Sequence, residues 1–143
     1  MEFFVGFVKP TDPTRKGRPA IVIAREGDYG LAVPCTTAAQ RNERIPPGCC
    51  AVPSGSKAVA PTKPAGESLR AQGTAVQINQ AQWVRMIDLG EPVARLRPER
   101  DPVLQRALDA ALRAVPRERL NQLQMELNLL IEQDSASTTG SSI

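Results

Sequence analysis

The chain has 143 residues, 41% hydrophobic and only 3% aromatic, which suits one domain whose core is built from Val, Ile, Leu and Ala. It contains no histidine, which excludes His-based zinc sites, Ser-His-Asp triads and imidazole acid–base catalysis. The net charge is +3 with the basic excess in the first hundred residues and a mildly acidic end, a distribution that suits a polyanionic ligand or an ordinary basic protein.

The N-terminal MEFFVGFVKP has no basic lead-in and too short an apolar stretch for a signal peptide, and no apolar run approaches the roughly 18 residues of a membrane span. A cytoplasmic protein is therefore expected. Within that stretch FFVGFV, 3–8, predicts a strand. KPTDPTRKGRP, with three prolines and four basic residues, is a loop. AIVIA, 20–24, predicts a buried strand, REGDYG a turn, and LAVPC the returning strand of an antiparallel hairpin. The segment 38–48 is polar and basic and ends in Pro-Pro-Gly. CCAVPSG, 49–55, predicts a short strand, interrupted by Pro53 and hence placed at an edge. Cys49 and Cys50 are adjacent and the count of three is odd, so no disulfide framework is expected.

Residues 56–72 are rich in Pro, Ala, Gly, Ser and Lys and predict a mobile excursion. TAVQINQ, 74–80, alternates and predicts a strand, and 81–96 is mixed, with a strand near 92–96. Asp101 as N-cap and Pro102 in the first turn open an amphipathic helix over 102–115. Pro116 opens a second helix, 116–133, striped with Leu120, Leu123, Leu127, Leu130 and Ile131. The Ser/Thr/Gly-rich 134–143 predicts a disordered tail. Strands first and helices last give a mainly β fold with α: a small β-barrel or curled sheet followed by C-terminal helices.

Four stretches in this order resemble the MazF/PemK family of toxin–antitoxin toxins: GRPAIVIA at 17–24, LAVPCTT at 31–37, PGCCAVPSG at 47–55 and INQAQWVRMIDLG at 78–90. The likeness spans about 1–115, interrupted by 56–72, and 116–133 is an addition to it. The resemblance implies an SH3-like barrel that forms a homodimer. It implies cofactor-free, metal-independent cleavage of single-stranded RNA to a 2′,3′-cyclic phosphate, and a cognate acidic antitoxin as partner.

Residue by residue, the resemblance assigns Arg18 and Thr36 as catalytic, stabilising the phosphate in flight. Arg15, Lys16, Thr37, Gln77, Asn79 and Gln80 are the expected substrate contacts. The chemistry is sensible without histidine, because a guanidinium and a hydroxyl can both donate to the phosphoryl oxygens as charge develops on them. Some family members use an aspartate base with an arginine two residues before it. Asn79 and Gln77 stand at those positions here, and neither can do that work. The alternative is a non-catalytic SH3-like module that binds RNA or a protein tail.

Each residue also has a plainer reading. Thr36 and Thr37 can simply end a strand and cap a turn. Arg18, with Arg15 and Lys16, can be a solvated loop, as can Arg41, Arg44 and Lys57. Cys35 reads as a small core residue, and Cys49-Cys50 offers too few ligands for a metal. Trp83 is expected in the core or a dimer interface rather than stacked on a base. The second helix either packs on the barrel or presents a partner surface.

Overall fold

The computed structural model describes residues 3–8, 18–36 and 48–141. It comprises eight strands and three α-helices among these residues: β1 Phe3–Val8, β2 Arg18–Glu26, β3 Tyr29–Thr36, β4 Cys50–Val52, β5 Val59–Pro61, α1 Pro64–Gln72, β6 Thr74–Val76, β7 Gln82–Arg85, β8 Ala94–Leu96, α2 Pro102–Arg113 and α3 Arg117–Ser141. The strands run β4-β6-β3-β2-β1-β8-β5 across one sheet, with β7 also paired to β3, and every pairing is antiparallel. Residues from both ends of that path share one core: Cys50 and Val52 of β4 lie in the same cluster as Val59 of β5, with Ile21, Val33, Val76 and Leu96 between. The sheet therefore curls round its own interior, as a small barrel requires. The mainly β fold followed by helices stands as expected.

The hairpin β2–β3 turns over Gly27 and Asp28, and Gly27 has φ of 59°, the left-handed conformation a two-residue hairpin needs at its first position. β4 is an end strand, as Pro53 suggested. α2 follows the N-cap expected of it. The Asp101 side chain accepts from the Leu104 N–H at 3.3 Å, Pro102 occupies the first turn, and Leu104, Leu108 and Ala111 enter the core.

Three expectations are corrected. Residues 56–72 are not a structureless excursion. They form β5, which pairs with β8, and then α1, which opens with Pro64 behind Lys63. Thr62 and Lys63 both donate backbone N–H to the Val93 carbonyl, at 2.9 and 3.2 Å, and Lys63 is ion-paired to Glu91. Composition misled because Pro, Gly and Ala mark loops on average, while here the proline starts a helix and Gly66 lets that helix sit against β8. The strand at 74–80 stops at Val76, and Ile78–Gln80 is a 3-10 turn. The second helix does not end near 133. It continues through Asp134 to Ser141, because no proline interrupts it and Asp134 is held by the sheet. No helix among the described residues is long and apolar enough to cross a membrane.

α3 lies against β7. Leu123 and Leu127 are buried, and two polar ties flank them. Near its start, Arg119 donates to the Ala81 carbonyl at 2.8 Å. Further along, Asp134 accepts from Arg85 through both Nε and an Nη, at 3.0 and 2.8 Å, and from the Tyr29 hydroxyl at 2.5 Å.

Candidate functional site

The site is built from the end of β3 outward. The last position β2 and β3 share is Ala20 opposite Pro34. Pro34 has no N–H to donate, so the ladder to β2 ends there. Its carbonyl accepts instead from the Gln77 N–H at 3.0 Å. β3 then follows β6, with Cys35 opposite Val76 and Thr36 opposite Ala75, while β2 stays with β1, with Arg18 opposite Val8. Arg18 and Thr36 thus stand two residues beyond the same shared pair, on strands that part from each other. Arg18 is exposed.

The turn Ile78–Gln80 is stitched to the same place. The Asn79 N–H donates to the Gly48 carbonyl at 3.0 Å, and the Cys49 thiol donates to Asn79 Oδ1 at 3.4 Å. Gly48 has φ of 79°, and a Cβ there would come within 3.1 Å of Asn79 Cβ, so glycine lets the strand entry close on this turn. Asn79 and Gln80 are exposed and Gln77 is half-buried. The fold therefore gathers Pro34, Gln77, Asn79, Gln80 and Gly48 at the end of the sheet where β3 finishes. Arg15, Lys16 and Thr37, together with Arg41 and Arg44, lie outside the described residues.

The thiols are poor nucleophiles. Burial pushes Cys35 and Cys50 up to about 12, and burial also raises Cys49, so all three are protonated at neutral pH. Cys35 is a core residue, as its apolar run suggested. No described group of three His, Cys, Asp or Glu side chains is placed to hold a metal ion.

Sequence reading missed the other polar cluster. The hydrogen bond from Arg85 holds Asp134 below the usual carboxylate range, with the Tyr29 hydroxyl adding to it. The hydrogen bond to Asp134 in turn raises Tyr29, and the same carboxylate raises Arg85. These residues are far apart in sequence and no local spacing pairs them. They sit at the hairpin end of β3, roughly 23 Å of strand from Thr36, and anchor α3 rather than furnish the site. Sequence reading also missed the cleft that Trp83 lines beside α3, because the helix that closes it comes from beyond the barrel.

The architecture defines a mainly β protein with appended helices and a polar turn at one end of its sheet. Among solved structures it is similar to the Mycobacterium tuberculosis toxin MazF-mt6, with 20% identity over 76% of this chain and 95% of that one and a TM-score of 0.47. No family model matches the chain. No curated protein matches it either.

Proposed function

We propose that the protein is the toxin of a toxin–antitoxin pair and a metal-independent endoribonuclease acting on single-stranded RNA. The observation that carries this reading is the placement of Arg18 and Thr36. The two residues singled out by the GRPA and PCTT motifs begin and end neighbouring strands two residues beyond one shared pair. In the proposed reaction the ribose 2′-oxygen attacks the adjacent phosphorus, the bond to the 5′-oxygen breaks, and a 2′,3′-cyclic phosphate and a 5′-hydroxyl result. The proton lost from the 2′-hydroxyl is balanced by one gained at the leaving oxygen. Arg18 meets the phosphoryl oxygens with its guanidinium and Thr36 with its hydroxyl. Asn79 and Gln77 cannot accept a proton at neutral pH, and the Cys49 thiol is itself protonated, so the rate comes from charge stabilisation with solvent carrying the protons. Arg15, Lys16, Thr37, Gln77, Asn79 and Gln80 contact the RNA chain, and a homodimer and a cytoplasmic acidic antitoxin complete the system.

Incubation of the protein with a weakly structured RNA in EDTA, followed by end-group analysis, tests the reading. Cleavage to cyclic phosphate ends is expected, with Arg18→Ala slower by about 100- to 1,000-fold, the cost of removing one preorganised donor. RNA left whole, or an Arg18→Ala variant as active as the parent, refutes it.

The exposed amides of Asn79 and Gln80 favour a second reading, a binding module without catalysis. It requires salt-sensitive RNA binding with no product at any incubation time.

A further inference from the structure

Between β7 and α3 lies a cleft of about 320 Å³ lined by Gln82, Trp83, Arg119, Glu126, Leu129, Leu130 and Gln133. That volume is at the low end of small-molecule sites, roughly 300–1,000 Å³, and too small for a folded partner element. Its walls combine an aromatic side chain and two leucines with two glutamine amides. Its one cation and one anion neutralise each other, because Arg119 donates to Glu126 at 3.1 Å while also gripping the Ala81 carbonyl. A cleft without net charge is a poor phosphate site. Its composition instead fits a flat, polar-edged aromatic group: the ring stacks on Trp83 and the leucines, and the amides meet its edge.

The cleft runs on from the candidate site along β7: Gln82 pairs with Ala32 and Trp83 with Leu31, four and five residues of β3 before Thr36. Gln82 opens β7 only two residues after Gln80, and Ala81 between them is fixed by Arg119. We propose that this cleft is a subsite for one base of single-stranded RNA, held by Trp83, Gln82 and Gln133, roughly 17 Å of strand along β3 from the phosphate contacts at its end. The proposal rests on the RNA reading above and assigns α3 a part in binding the substrate.

Trp83 is the chain's single tryptophan, so its emission reports on the cleft directly. A 2′-O-methyl oligoribonucleotide, which lacks the attacking hydroxyl, is titrated into the full-length protein, with oligonucleotide anisotropy as an independent measure of binding. Quenching of Trp83 with the same midpoint as the anisotropy is expected. Leu129 is 54% exposed, so Leu129→Glu leaves the fold intact by circular dichroism while setting a carboxylate at the cleft wall. It should weaken binding by about 5- to 150-fold, the range for losing one stacked base.

Oligonucleotide binding with unchanged Trp83 emission, or with Leu129→Glu as tight as the parent, overturns the subsite and leaves the RNA reading standing. No oligonucleotide binding by either readout removes both. An acidic amphipathic peptide that shifts Trp83 emission where the oligonucleotide does not would give the cleft to a protein instead.

Discussion

Gly66→Ala separates a docked helix from a loose one by the sign of its effect. In an exposed or mobile segment, alanine in place of a helical glycine stabilises by up to about 1 kcal/mol. Here the added Cβ would lie 1.9 Å from the Val93 carbonyl oxygen, 2.8 Å from its carbon and 3.2 Å from Ala94 Cβ. The first contact must open by about 1 Å or more, and the atom in the way is the backbone leading into β8 rather than the end of a flexible side chain. Overpacking of this kind costs about 1–3 kcal/mol. The same carbonyl accepts from Thr62 and Lys63, so moving it also strains two hydrogen bonds worth about 0.5–1.5 kcal/mol each. Offset by the helix-propensity gain, the net expectation is a loss of about 1–5 kcal/mol. Urea unfolding followed by Trp83 emission and far-UV circular dichroism would show it as a lower midpoint at unchanged slope. A Gly66→Ala protein as stable as the parent, or more so, would mean that α1 does not rest on β8.

α3 is tested in the same assay. Leu127 is 0% exposed, so Leu127→Ala should cost about 2–5 kcal/mol, while Leu129→Ala on the open flank should change stability by no more than about 0.5 kcal/mol. Asp134→Asn should destabilise the protein at neutral pH. Because Asp134 is held below its ordinary 3.8, its contribution is present above that value and disappears as the pH falls through the lower native one, so parent and variant should converge in acid. Tyr29, raised above 10.0, works in the opposite sense: its contribution is whole below pH 10 and fades in stronger alkali. Chemical unfolding across pH measures both. In the native protein a thiol reagent should modify Cys49 first. Cys35 and Cys50 should react only on unfolding, since both are buried and pushed to about 12. Mass spectrometry of the labelled peptides distinguishes these outcomes.

Local signals carried the elements whose formation depends on near neighbours. The runs FFVGFV, AIVIA and LAVPC, the Gly-Asp turn and the Asp101-Pro102 helix start are each complete within a few residues, and each forms as read. Of the candidate site, only the backbone that carries Arg18 and Thr36 follows from such local signals. Pro34 ends the β2–β3 ladder because a proline lacks the N–H whatever surrounds it. That Arg18 and Thr36 each stand two residues beyond the last shared pair follows from the hairpin register once the turn is placed. The stitching of Asn79 to Gly48 and Cys49 was not legible, since their contact depends on a chain reversal between β4 and β6.

What the sequence determined by itself is therefore the opening run of strands, the two C-terminal helices, the hairpin and the absence of imidazole chemistry, all properties of composition or short-range periodicity. The tertiary structure decided the rest. It turned the Pro- and Gly-rich 56–72 into a strand and a helix, because Gly66 admits a neighbouring backbone that no local rule anticipates. It also carried α3 past its hydrophobic stripe and set Asp134 between Tyr29 and Arg85, because a charge-assisted pair across 105 and 49 residues of chain outweighs the weak helix propensity of a serine-rich tail.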